Sequence, residues 1–391
     1  MRLPPLPFET KPVRRLHRPS PQELWAQQEP VVLTGCMDDW KLLHELKARA
    51  TPEQKLAVLG SRFGTQTVEY HRLPGHLGGH YHFQKENLEG VTFSGPQAGV
   101  TFDTFAGELL RSLSGASSDY VYLQSHAVEP GTALFEALGP NVLPVLHEQQ
   151  VFPKLWVGSP GQVVNLHYDD FINFICMLEG TKRVTLFAPE LLPFMYHAPF
   201  DRMLNQAMAS HVRLLEPDLE SFPLFRQALS EARVAVLEPG EVLFTPPFWW
   251  HHVESFGLNV MINNWLFREH LDEVVEMQGD LTQAIRLFHA RPAGQRDRAR
   301  ALYQRTVFAP GAASAPEPAG STEQEEPGLA EHRARTRALV ARLPEALRKQ
   351  HALYYDHFVF QTSGEPFPSQ PGALTAMVER NAHAPTFFLR D

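Results

Sequence analysis

The chain has 391 residues, 43% of them hydrophobic, which is enough for a sizeable core built as one large domain or two smaller ones. With 35 basic and 44 acidic residues its formal net charge is -9, so it has no general attraction for nucleic-acid phosphates or anionic lipid. The two cysteines, Cys36 and Cys176, exclude a disulfide framework and a multi-cysteine zinc site, and no segment has the apolar length to span a bilayer.

The opening, MRLPPLPFETKPVRRL, lacks the apolar core of a signal peptide, and a reducing cytoplasm is the expected compartment. Ser20-Pro21-Gln22-Glu23 reads as a helix start, with Ser20 as cap, Pro21 at the first helical position and Glu23 completing a capping box. That helix stops at Glu29-Pro30. Val31 to Thr34 is then a short buried strand, and a helix is expected from Trp40 to about Ala48. Val68 to Gln97, rich in Gly, Pro and His, reads as strand fragments and a long loop carrying His71, His76, His80 and His82, without a fixed ligand spacing. Thr101 to Leu113 is a capped amphipathic helix with Phe105, Leu109 and Leu110 inward. Tyr120 to Gln124 is a strand, and Ala133 to Leu146 reads as short helices and turns.

Two strands are expected on either side of Glu179-Gly180, roughly Asn173 to Leu178 and Lys182 to Phe187. In the second, Lys182 shares a face with Val184 and Leu186, and a cation buried there needs an anionic partner. Leu192 to Phe225 is a long insertion containing the turn Pro199 to Arg202. Arg233 to Leu237, Glu241 to Thr245 and Leu258 to Phe267 are further strands. From Glu269 the period becomes helical, through Leu271, Val274, Val275, Leu281, Ile285 and Phe288. Residues 309–328 read as a disordered linker, and Leu329 to Ala352 as a helix interrupted near Pro344. The tail carries Phe358, Phe360, Phe367, Phe387 and Phe388 and is expected to pack back on the body.

The expected fold class is mainly β: a double-stranded β-helix, or jelly roll, with flanking N-terminal α/β elements and a C-terminal helical region. The expected division is a β domain with N-terminal elements over 1–267 and a helical region over 268–391.

His167 and Asp169 stand two apart in apolar strand sequence, so an imidazole and a carboxylate point to one place, as two of the three ligands of a facial iron(II) site. The third ligand is expected from FTPPFWWHHVES, at His251 or His252. As neighbours in a strand these point oppositely, and sequence physics leaves the choice open. A closed four-ligand zinc site would need another histidine or cysteine close to the pair, and the stretch around His167 offers none.

The segments HYDDFINFICMLEGTKRVTLFAP and LEPGEVLFTPPFWWHHVESFGLNVMINNWLF resemble the JmjC-type, cupin-fold branch of iron(II) and 2-oxoglutarate-dependent oxygenases. Within it they are most similar to the asparaginyl hydroxylase that inhibits hypoxia-inducible transcription factor, over roughly Val31 to Phe267. The resemblance implies that His167, Asp169 and His251 bind iron. It implies that Lys182 and Tyr122 hold the distal carboxylate of 2-oxoglutarate, and that Asn173 and Asn263 lie near its iron-binding end. It places Gln124, Arg202 and Trp265 against substrate. One position departs: Val164 stands where the family often has a threonine that helps hold the distal carboxylate.

The expected activity is hydroxylation of a C–H bond using Fe(II), 2-oxoglutarate and dioxygen. A protein or peptide side chain is the leading substrate and a small metabolite the second. Nucleic acid is disfavoured by the charge, no membrane association is expected, and a homodimer through the C-terminal helices is implied by the resemblance. The rival classes are a lysine demethylase, a non-catalytic cupin binding protein and a zinc-dependent cupin isomerase.

Overall fold

The computed structural model describes residues 3–81, 97–138, 151–169, 171–196, 208–266, 271–288, 291–309, 311–312 and 327–361. Arg202, His82, Phe267, Phe367, Phe387, Phe388 and most of the expected linker lie outside the described residues. The chain divides into two compact units. The first comprises Met1–Ala188, His197–Pro217 and Gln227–Arg268; the second comprises Pro189–Tyr196, Asp218–Arg226 and Glu269–Asp391.

The first unit is the jelly roll. A 14-stranded sheet is organised around two long antiparallel partners, Ile172–Phe187 and Trp250–Leu266. Trp250–Leu266 also pairs with Val151–Gly158 and with Val163–Tyr168, which brings residues 84 to 115 positions apart into one ladder. The alternation of side chains decides which residues meet. Phe174, Cys176, Leu178, Val260 and Ile262 point to one face, where they pack with Trp40, Leu43, Leu46, Leu59, Phe63 and Phe105 from the N-terminal helices. Ile175, Met177, Val184, Leu186, Val253 and Met261 form a separate cluster on the other face, and that face carries the candidate site.

The helices start as their sequences dictate. Ser20 accepts from the Glu23 amide and the Glu23 carboxylate accepts from the Ser20 amide, so the capping box closes over Pro21–Trp25. Pro52–Phe63, capped by Thr51, and Val151–Gly158 are elements that the sequence reading did not anticipate.

Two expected boundaries are corrected. Glu179-Gly180 does not separate two strands. The chain runs through as one strand with register shifts at Glu179, because both of its halves pair with the same partner. Gly180 takes φ +78 there, and a Cβ at this position would meet the Leu258 carbonyl oxygen at 2.3 Å, which only glycine avoids. The last strand begins at Trp250 rather than Leu258, since the WHHVES run from Trp250 to Ser255 pairs in register with Lys182 to Phe187.

Directly opposed across these two strands, Arg183 and Glu254 form a two-pronged ion pair at 2.6 Å on both arms, each side chain only 6% exposed. Removing one partner of such a pair strands a buried charge. Arg183→Met is therefore expected to lower the unfolding free energy by about 3–5 kcal/mol, measured by denaturant titration.

In the second unit, the helices Leu271–Phe288, Ala293–Tyr303, Pro327–Arg342 and Glu345–Tyr354 surround a buried polar network. Asp280 accepts from Thr336 at 2.9 Å and meets His351 Nε2 at 2.9 Å, while Tyr303 and His332 bond at 2.8 Å. The expected interruption near Pro344 falls between the last two helices. Leu281 and Phe288 of the apolar stripe are buried within this single chain, as are Met277 and Ala284 of the same helix.

Candidate active site

His167 is the penultimate residue of the strand Val163–Tyr168, and His251 sits directly opposite it on Trp250–Leu266. Their rings are 4.1 Å apart between centroids. Asp169, two residues after His167, completes the group: one ligand atom from each of His167, Asp169 and His251 lies within 4.8 Å of the others. Among the described residues this is the one cluster of three or more His, Cys, Asp or Glu able to hold a metal ion. The Asp169 carboxylate lies 3.7 Å from His251 Nε2.

The second ring nitrogens decide what the first can do. His167 Nδ1 lies 2.7 Å from the Asn165 carbonyl and His251 Nδ1 lies 3.0 Å from the Trp249 carbonyl. A carbonyl only accepts, so each Nδ1 carries the hydrogen and each Nε2 is left with its lone pair, the form a metal needs. His252, the neighbour that the sequence could not exclude, pairs in register with Thr185 instead. It is fully buried, neither ring nitrogen has a hydrogen-bond partner among the described residues, and burial above all pushes its pKa down to about 3.

Lys182 is 1% exposed and faces inward with Val184 and Leu186, as its alternation requires. Its ammonium donates to Ser255 Oγ at 2.8 Å, and among the described residues it has no ion pair. Desolvation alone pulls its pKa down from the ordinary 10.5 to about 7. A cation buried beside a single hydroxyl is costly unless an anion joins it, and this is the structural feature that fits a bound carboxylate. Ser255 was not singled out from sequence. Its signal was register: it stands directly across from Lys182. Val164, in the position without the expected hydroxyl, packs against the inner apolar cluster.

Tyr122 is buried on Tyr120–Ala127, its ring 5.7 Å from that of Trp156, and burial raises its phenol pKa above the usual range. His71 is its register partner on the neighbouring strand. Gln124, two residues on from Tyr122, is half-buried. Asn173, Asn263 and Trp265 are drawn into one hydrogen-bonded chain with Asp169. Asn263 donates to Asn173 Oδ1 at 3.3 Å, Asn173 donates to Asp169 Oδ2 at 3.2 Å, and Trp265 Nε1 donates to the same oxygen at 3.3 Å. Of the expected site residues, then, the structure brings His167, Asp169, His251, Asn173, Asn263 and Trp265 together and places Lys182 on the same inner face.

Comparison with known proteins adds a family. A family model described as a cupin-like domain matches residues 18–272. Human HSPB1-associated protein 1 is 40% identical over 167 residues, 41% of this chain and 33% of that protein. Mouse tRNA wybutosine-synthesizing protein 5 is 28% identical over 283 residues, 66% of this chain and 78% of that protein. Arabidopsis thaliana lysine-specific demethylase JMJ31 is 30% identical over 124 residues, 32% of this chain and 22% of that protein. The chain thus spans about a third of the length of its HSPB1-associated relative. These similarities carry the coarser resemblance, to JmjC-type cupin proteins, and not the finer one to the asparaginyl hydroxylase. Among the described residues no helix is long and apolar enough to cross a membrane.

Proposed function

The chain belongs to the family of cupin-like domains, and on that premise we propose that it is an iron(II)- and 2-oxoglutarate-dependent oxygenase that hydroxylates a C–H bond. The observation that carries the reading is the pairing of two features on one inner face. One is a two-histidine, one-carboxylate cluster with both Nε2 lone pairs presented; the other is a buried ammonium that has no anionic partner among the described residues. A facial set of this kind suits iron(II), and a keto acid with a distal carboxylate suits a metal at one end and an ammonium at the other.

In this reading His167, Asp169 and His251 hold the metal. Lys182, bonded to Ser255, takes the distal carboxylate, and Tyr122 is proposed to share it. Bound iron would supply activation of dioxygen at the expense of 2-oxoglutarate, which leaves as succinate and carbon dioxide. The protein's own share is orientation and dryness. Asn173 and Trp265 hold the Asp169 carboxylate in one direction, and the aromatic wall of Trp156, Tyr122 and Trp265 keeps bulk water from the reacting end. Gln124 and Arg202 are proposed to contact the substrate.

The substrate is proposed to be a protein or peptide side chain, in keeping with the relative named as a lysine-specific demethylase. A nucleoside in tRNA is the second reading. It is favoured by the match that spans 78% of the wybutosine-synthesizing relative, and disfavoured by a net charge of -9. Incubation with Fe(II), 2-oxoglutarate and either a peptide library or bulk tRNA decides between them. A gain of one oxygen in mass on the peptide supports the first reading, the same gain on tRNA supports the second, and formaldehyde release marks demethylation. Iron and 2-oxoglutarate that bind without any consumption of 2-oxoglutarate would leave a binding protein instead.

Pairing of two copies through the C-terminal helices is proposed from the family resemblance alone. Two stripe residues, Leu281 and Phe288, are already covered within one chain, so light scattering that gives a monomer mass would withdraw it.

A further inference from the structure

Trp156 has no place in the sequence reading, yet it begins the hydrogen-bonded chain that ends on Asp169. Its indole Nε1 donates to Asn263 Oδ1 at 2.6 Å, Asn263 donates to Asn173 at 3.3 Å, and Asn173 donates to Asp169 Oδ2 at 3.2 Å. Both asparagines are buried, Asn263 at 1% and Asn173 at 5% exposure, so water does not substitute for these partners.

The direction of such a chain is set by its ends. An indole N–H can only donate, and an ionised carboxylate can only accept. An asparagine amide can face either way, but each of these two must accept on the Trp156 side and donate on the Asp169 side. Turning Asn263 over would set its NH2 against the indole N–H. Turning Asn173 over would set its carbonyl against the carboxylate. Both ends therefore demand the same orientation, and no link in the chain is frustrated.

Packing fixes the first donor. The Trp156 ring lies 5.7 Å from Tyr122 and 6.2 Å from Trp265, edge-on to the latter. Trp265 in turn donates to the same Asp169 oxygen at 3.3 Å. Trp156 thus stands between the residues assigned to the two ends of the cosubstrate, touching one by its ring and reaching the other through two amides.

We propose that Trp156 is a positioning residue for the metal centre, its indole N–H fixing the direction of the amide chain that aims the Asp169 carboxylate. The proposal rests on the reading of His167, Asp169 and His251 as a metal site. Outer partners of metal ligands typically change affinity ten- to a hundred-fold when lost.

The test uses Mn(II) alone, titrated without oxygen or 2-oxoglutarate into the full chain and followed by the electron paramagnetic resonance signal of the free ion. Two variants are compared with the parent: Trp156→Phe, and a chain carrying benzothienylalanine at 156, which keeps the ring's shape and loses only the N–H. Both are expected to raise the Mn(II) dissociation constant about ten-fold or more. The benzothienylalanine chain is expected to keep the metal-free melting temperature of the parent within a few degrees. Unchanged Mn(II) affinity in the benzothienylalanine chain would overturn the proposal even if Trp156→Phe fails to fold, and would leave the site reading standing. A parent chain that takes up no Mn(II) would overturn the site reading, and this inference with it.

Discussion

Alanine at His167, Asp169 or His251 should abolish succinate formation from 2-oxoglutarate, with turnover falling to the level of the assay without enzyme. The expectation follows from geometry. The three ligand atoms lie within 4.8 Å of one another, and no other described cluster could replace a lost member. A two-ligand remnant holds iron(II) weakly and leaves the cosubstrate without a fixed chelation site. His252→Ala is the control. Its ring points away from the cluster and pairs in register with Thr185, so its loss should lower stability while leaving measurable turnover in the folded fraction. Full turnover in the His167 or Asp169 variant would reject the assignment of ligands.

The second large effect is at Lys182, where stability and binding should move in opposite directions. Lys182→Met replaces a buried ammonium with an apolar chain of similar length on a face already lined by Val184, Leu186 and Met177. The parent carries a cost that depends on pH. Burial lowers the folded pKa to about 7 against 10.5 in the unfolded chain. Below pH 7 both states hold the proton, so the full penalty is present. Between pH 7 and 10.5 the unfolded state binds the proton and the folded state does not, so stability rises with pH across that window. The methionine variant should lose this rise and, below pH 7, gain stability on the order of 3 kcal/mol, read from denaturant titrations at several pH values.

Its affinity for 2-oxoglutarate should fall about a hundred-fold, because a charge-assisted hydrogen bond is lost with no substitute. In the parent the same linkage predicts weaker 2-oxoglutarate binding as pH rises above 7, since the neutral amine must take up a proton to pair with the carboxylate. Affinity that stays flat from pH 7 to 9 would mean that Lys182 does not meet the cosubstrate.

What the sequence disclosed, and what it hid, follows from the range of the forces involved. The alternation Lys182, Val184, Leu186 is local, and the burial of all three is as the pattern requires. Ser20 to Glu23 is equally local, and its capping box forms. The choice between His251 and His252 was not local. It depends on which residue of Trp250–Leu266 falls opposite His167, and a register between strands eighty residues apart is not written in either strand alone. The split placed at Glu179-Gly180 failed for a related reason. Gly reads as a turn, but here the pairing of both flanks with one partner turns it into a bulge. Ser255 and Trp156 escaped notice because neither belongs to a ligand pattern. Each is defined by what lies across the sheet, Lys182 for the one and Met261 with Asn263 beyond it for the other. The missed helix Pro52–Phe63 had a capping threonine and a first-turn proline, and these signals were there to be read.

The most direct test is a crystal structure of the chain with Mn(II) and 2-oxoglutarate, grown without oxygen. One metal peak is expected about 2 Å from His167 Nε2, His251 Nε2 and an Asp169 carboxylate oxygen, with the keto acid end of 2-oxoglutarate on the metal and its far carboxylate against Lys182 Nζ. A metal bound elsewhere, or a cosubstrate whose far carboxylate leaves Lys182 unpaired, would contradict it.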